Sequence, residues 1–224
     1  LAPIIGACGG MLVPVIVSIL LNEIQSNAFR RISQTLIYLP HFLSWIILAG
    51  ILIDLLSPNG GLVNRFLKLF GAEPIFFLGS NKWFRFTLVF TDVWKEFGFG
   101  TIVYLAAITN IDPTQYEAAT IDGANRFQRI MHVTLPNMRM IIVLMMVLSL
   151  GNVLNAGFDQ VYNMYSEAVY STGDILDTFI YRLSFKNGLW GQSAAVSMFK
   201  SVVSTLFISV SYLCAYKFAD YRVF

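Results

Sequence analysis

EAATIDGANRFQRIMHVTLP, Glu117 to Pro136, is a polar island between two long apolar runs, and its reading decides how the rest of the chain is understood. Immediately before it, Asp112-Pro113-Thr114-Gln115 carries a helix-start pattern. Asp112 suits the cap. Pro113 suits the first helical position, where its missing N–H costs nothing, and Gln115 completes an Asp-x-x-Gln variant of the capping box. The helix opened in this way carries Tyr116, Glu117, Ala118 and Ala119. Gly123 then permits a bend, because glycine enters positive φ at little cost. Arg126 to Met131 supplies a second helical turn or two, and Pro136 stands where a following helix would begin. The expected local fold is helix, elbow, helix. Small residues at Ala118, Ala119, Gly123 and Ala124 let another protein approach closely, while Glu117 and Asp122 add fixed charge. Such a knob suits docking into a groove.

The apolar runs on either side are not isolated. Of 224 residues, 56% are hydrophobic, 15% aromatic and only 12% charged, against roughly one quarter charged in soluble domains. This is the composition of an all-α integral membrane protein. A net charge of +2, with no basic block interleaved with aromatics, gives no reason to expect nucleic acid. Cys8 and Cys214 sit in opposite terminal apolar runs and read as small hydrophobes rather than a disulfide. The chain begins at Leu1, inside an apolar run without a basic flank, and so reads as an N-terminally truncated chain rather than one opening on a signal peptide. Enzyme chemistry has no foothold. His41 and His132 are far apart, no Cys/His spacing offers a metal site, and neither a Gly-x-Ser-x-Gly elbow nor a phosphate-cradling Gly-x4-Gly-Lys-Ser/Thr is present. If ATP drives this protein, another subunit must bind it, and no cofactor is expected on this chain.

A spanning helix needs about 20 mainly apolar residues, which places five spans at 1–21, 36–56, 84–108, 138–158 and 194–216. Pro3, Gly6, Gly9, Gly10 and Pro14 mark the first for close helix packing, with a gating role as the alternative. Arg30 and Arg31 fit a cytosolic loop, yet seven cations fall inside and six outside on this topology, so charge alone does not orient the chain. Between the second and third spans, Leu62 to Phe70 is apolar-periodic and reads as an interfacial helix on the outer face. The tyrosine-rich segment between the last two spans carries a helix from about Asp174 to Phe185. It reads either as a cap that meets a substrate-binding protein or as interfacial packing.

Two polar stripes interrupt the apolar helices. Asp92, Lys95 and Glu96 lie mid-span, where each ionised group costs about 2.5–3.5 kcal/mol on insertion scales, and helical spacing puts them on one face with Phe99. Lys95 can neutralise one acid within its own helix. Ser149, Asn152, Asn155 and Asp159 recur every three or four residues in the next span. A cavity that trades water for sugar hydroxyls, with rings stacking on sugar faces, is one reading of Asp92, Lys95, Glu96, Phe99, Ser149, Asn152 and Asn155. A static ion network with asparagine glue between helices is the other. Lys200, near the outer end of the last span, is expected to snorkel and to need no special role.

The run EAATIDGA, followed nine residues later by Val133-Thr134-Leu135-Pro136, resembles the EAA loop of ABC importer permeases. WKEFGFGTIVYLAAI before the loop and NAGFDQVYN after it are similar to the sugar-importer branch, particularly its polysaccharide group of alginate-type and LplB-like permeases. The resemblance covers nearly the whole chain. It implies a type I ABC importer permease fold, with five of about six core spans present and one further helix before the first. It implies a single transmembrane domain over 1–224, whose cytosolic loop at 109–137 is a coupling helix seated in a cleft of an ATP-binding subunit through Tyr116, Glu117, Ala118, Ala119, Asp122, Gly123, Ala124 and Pro136. It also points to the two polar-striped helices for substrate. Expected partners are a second permease in a heterodimer, two ATP-binding subunits carrying ATP and Mg, an extracytoplasmic sugar-binding protein and membrane lipid. The setting is the bacterial inner membrane, crossed several times, and the function is import of sugars or oligosaccharides, including polysaccharide fragments such as alginate oligomers. The rival is an ion-coupled secondary transporter using Asp92, Lys95 and Glu96, against which the loop speaks.

Overall fold

A computed structural model describes residues 2–151 and 157–219, with the side chains of 9–149, 157–210 and 212–213. Every regular element among them is helical. In order they are α1 (Ala2–Asn22), α2 (Asn27–Tyr38), α3 (Trp45–Leu56), α4 (Leu62–Leu69), α5 (Asn81–Thr109), α6 (Pro113–Ile121), α7 (Arg126–Arg129), α8 (Leu135–Gly151), α9 (Phe158–Met164), α10 (Tyr170–Gly173), α11 (Leu176–Tyr181) and α12 (Trp190–Ala219).

Helices α1, α5 and α12 cover the first, third and last expected spans. Two helical stretches among the described residues, Arg126–Ser149 and Trp190–Val210, combine the length and apolarity needed to cross a membrane. Helix α5 has 29 residues but carries Lys82, Arg85, Asp92, Lys95 and Glu96. Two expected spans need correction. The second, at 36–56, is not one helix: α2 ends at Tyr38, a 3-10 turn occupies Leu39–Phe42, and α3 starts afresh after Ser44, whose hydroxyl accepts from the Ile47 N–H. Pro40 lacks the N–H that a continuous helix would use, and Ser44 offers the next turn a cap. The fourth, at 138–158, is interrupted before its expected end, because Gly157 takes φ +65° and caps a new helix, α9.

The described chain falls into two compact units. One contains residues 42–92 and 157–206. Its core is Ala49, Leu78, Phe84, Met164 and Val169, with α3 packed on α9. Phe84 is fully buried, and a Cβ on Gly173 would stand 2.2 Å from its ring, so the glycine is what lets α10 close over it. Buried Asn64 pins α4: its Nδ2 donates to the carbonyls of Leu56, Ser57 and Ile75, and its Oδ1 accepts from the Ile75 N–H at 2.8 Å. Helix α4 leaves Leu62, Phe66 and Leu69 exposed on one face, the pattern expected of an interfacial helix.

The other unit contains residues 7–41, 93–151 and 207–219. Tyr104 and Ile108 of α5 pack with Met138 of α8, flanked by Val15 and Ile19 of α1 and by Ile141, Ile142 and Met145. Close approach is again set by glycine. A Cβ on Gly98 would stand 2.1 Å from the Ile37 carbonyl oxygen of α2, and one on Gly100 would stand 3.0 Å from the Pro14 ring of α1. Burying this apolar surface stabilises the unit by about 25 cal/mol per Å² removed from solvent.

Candidate functional site

The loop between α5 and α8 is built as a closed elbow. Pro113 opens α6, and Asp112 Oδ1 accepts from the Thr114 N–H at 2.9 Å, a bond that holds its carboxyl below the usual carboxylate range. The expected capping box does not form there, because Gln115 Oε1 accepts from Asn137 Nδ2 at 2.8 Å instead. A reciprocal box forms one helix later: Asn125 Oδ1 accepts from the Gln128 N–H and Gln128 Oε1 from the Asn125 N–H. Between the two, Gly123 takes φ +80°, with its N–H bonded to the Thr120 carbonyl and that of Ala124 to the Ala119 carbonyl. This pair of bonds is a Schellman stop, whose left-handed residue favours glycine.

Pro136 does not open a new helix. From Arg126 to Gly151 the chain is continuously helical, with a π turn at Ile130–Thr134 between α7 and α8. The Leu135 N–H bonds to the Ile130 carbonyl, five residues back, and the wider turn accommodates a proline that can neither donate nor tolerate close stacking. Tyr116 Oη lies 3.0 Å from Thr134 Oγ1 and Arg129 Nη1 donates to Thr120 Oγ1, so α6 is tied to the start of the long helix. Glu117, Ala118, Asp122 and Gly123 are exposed, whereas Tyr116, Ala119 and Ala124 are half-buried. Sequence reasoning missed Ile121 and Phe127, which are 86% and 70% exposed on this knob. Their signal was present as two large apolar residues in an otherwise polar loop.

Within the second unit, Lys95 Nζ donates to Glu96 Oε1 at 2.9 Å and to the His41 carbonyl at 3.0 Å. The Lys95 side chain is 7% exposed and that of Glu96 41%. His41, set aside by the sequence, joins them: its Nδ1 lies 2.8 Å from Glu96 Oε2 and its ring stacks on Phe99 at 4.5 Å. No local spacing could have revealed this, since His41 is 55 residues from Glu96. Ser149 is half-buried on α8, and Asp92 belongs to the first unit. Asn152 and Asn155 lie outside the described residues. In the first unit the buried Gln160 donates to the Leu88 carbonyl and to Thr91 Oγ1, both at 2.8 Å, joining α9 to α5.

The tyrosine-rich segment forms a continuous run of rings. Phe158, Tyr162 and Tyr181 lie within 6 Å of one another, Tyr165 follows against Tyr170, and Tyr181 leads through Phe185 to Trp190. Arg182 sits 4.8 Å over the Tyr170 ring and pairs with Asp174, which raises the guanidinium further above its ordinary pKa. The helix expected at 174–185 appears as α11 and a π turn. Lys200, expected to snorkel, has a partner that the sequence did not indicate: its Nζ donates to both carboxylate oxygens of Asp177, at 2.6 and 2.8 Å.

A family model described as the binding-protein-dependent transport system inner membrane component matches residues 10–223. The chain belongs to this family. It is 39% identical over 212 residues to the polygalacturonan/rhamnogalacturonan transport system permease protein YteP of Bacillus subtilis strain 168, an alignment covering 95% of this chain and 66% of that one. Protein LplB of the same organism is 41% identical over 211 residues, with 94% and 66% covered. The chain thus spans 66% of the length of both relatives. The crystal structure of a bacterial ABC transporter that imports the acidic polysaccharide alginate superposes at a TM-score of 0.90, with 36% identity over 93% of this chain and 73% of that one. The fold is therefore that of an ABC importer permease.

Proposed function

We propose that this family member is a transmembrane permease subunit of an ATP-driven, binding-protein-dependent importer of oligosaccharides, fragments of acidic polysaccharides among them. The observation that carries the reading is the exposed, glycine-stopped knob at 113–129, tied to the start of a membrane-length helix in a chain of this family. In this reading 1–224 is one transmembrane domain and 109–137 its cytosolic coupling loop. Tyr116, Glu117, Ala118, Ala119, Asp122, Gly123, Ala124 and Pro136, with Ile121 and Phe127, form or support the surface that enters a cleft of an ATP-binding subunit. A rigid knob transmits displacement to α8 because no flexible joint intervenes between Arg126 and Gly151.

Lys95, Glu96, Phe99 and His41, with Asp92, Ser149, Asn152 and Asn155, are assigned to the substrate pathway: charged pairs are costly in a membrane interior and persist where water or substrate reaches them. On this reading the chain itself needs no nucleotide or cofactor. ATP and Mg belong to two partner subunits, a second permease completes the membrane core as a heterodimer, and an extracytoplasmic sugar-binding protein delivers substrate. The location is the bacterial cytoplasmic membrane, crossed several times. Family membership weighs against ion coupling as the energy source. In vesicles loaded with ATP, uptake of oligogalacturonate by the reconstituted complex is expected to require hydrolysis and to survive a protonophore. Uptake abolished by the protonophore would replace this reading with ion-coupled transport.

A further inference from the structure

Between α11 and α12 lies an open cavity of about 430 Å³ lined by Asp177, Ile180, Ser197, Lys200, Ser201 and Ser204. Its volume falls within the range of small-molecule sites. The charge in it sums to zero, because the Lys200 ammonium is bonded to both oxygens of Asp177. Two of the three ammonium hydrogens are used, leaving one donor, while the carboxylate keeps lone pairs beyond those two bonds. The serines add acceptors. Ser197 Oγ donates to the Ser193 carbonyl and Ser201 Oγ to the Ser197 carbonyl, so their hydrogens are spent on the helix and their oxygen lone pairs remain. Spacings of four and three put Ser197, Ser201 and Ser204 on one face of α12.

A wall rich in acceptors, net neutral, with a single cationic donor, complements a ligand that presents several O–H groups and no net charge. An anion would meet Asp177 and the serine oxygens with few donors to satisfy it. We propose that this cavity is a binding subsite for the hydroxyl-bearing face of a neutral sugar ring, with Asp177 accepting from adjacent hydroxyls and Lys200 donating to one of them. The proposal deepens the import reading and rests on it for its biological role, but its geometry belongs to α11 and α12 alone.

The test is equilibrium binding of galactotriose, and of trigalacturonate as its charged counterpart, to the purified complete transporter without its binding protein. Joint replacement by Asp177→Leu and Lys200→Leu removes both charges together, and Ser201→Leu fills the cavity while leaving the ion pair. Each is expected to weaken galactotriose binding about tenfold, the scale of one or two lost hydrogen bonds, with the thermal midpoint of the complex unchanged. Equal affinity in either assembled variant overturns the proposal, as does binding of trigalacturonate alone. Should the double variant fail to assemble, Ser201→Leu decides. A transporter that binds galactotriose in this manner yet shows no ATP-driven uptake refutes the import reading and leaves the subsite standing.

Discussion

At Asp174 two opposing effects meet on one carboxyl. Burial pushes its pKa up, but the Arg182 guanidinium and the Thr178 hydroxyl, with the Ile175 N–H, outweigh it and hold the group below its ordinary value. A carboxylate whose folded pKa lies below its unfolded value contributes stability that is present above the unfolded value, about 3.9, and is lost as pH falls through the folded one. Protection of the 174–182 backbone from hydrogen exchange, corrected for intrinsic rate, is therefore expected to hold steady from pH 7 to about 5 and to fall below about 4. Asp174→Asn should flatten that dependence, and an unchanged acid profile in the variant would remove the pair as its cause. Residues such as this were only half legible in the sequence. A helix in this stretch was expected from the sequence, whereas the pairing of Asp174, just before α11, with Arg182, just after it, like that of Lys200 with Asp177 or His41 with Glu96, depends on chain folding across 8, 23 and 55 positions.

Helices meet where glycine removes a side chain, and α2 against α5 is the tightest case. With only 2.1 Å between an added Cβ at Gly98 and the Ile37 carbonyl oxygen, both backbone, nothing flexible can yield. Gly98→Ala is expected to cost about 3 kcal/mol, at the upper end for overpacking, read as a lowered thermal midpoint of the purified chain in detergent. The same displacement would carry the His41 carbonyl away from Lys95, so accessibility of that lysine to acylating reagents should rise as well. A variant with wild-type stability would show that α2 does not rest on α5. At this scale α1, α4, α5, α6, α11 and α12 were readable from apolar period, caps and turns. The break at 39–44 was not, because Leu39 to Trp45 is apolar enough to pass for span and only Pro40 and Ser44 mark the stop. The π turn before Pro136 was hidden for a related reason: a proline at a helix start and one absorbed by a wide turn leave the same mark on a sequence.

For the whole molecule, the family was legible because the run from Glu117 to Pro136 is a short, contiguous pattern, whereas the residues proposed for the pathway are scattered over several segments of the sequence. In the proposed mechanism, motion of an ATP-binding subunit reaches the membrane helices through the elbow at Gly123. Its φ of +80° is one that other residues adopt at a cost of about 1–2 kcal/mol, and a Cβ there meets nothing within 4 Å, so a substitution strains the backbone without a clash. Gly123→Val should leave the helices inserted and the complex assembled while distorting the knob. The most direct measurement is stimulation of ATP hydrolysis by the sugar-loaded binding protein in proteoliposomes containing the complete complex. Stimulation and uptake should both fall several-fold in Gly123→Val at unchanged complex yield, whereas a variant that is stimulated normally and imports at the original rate would contradict the account.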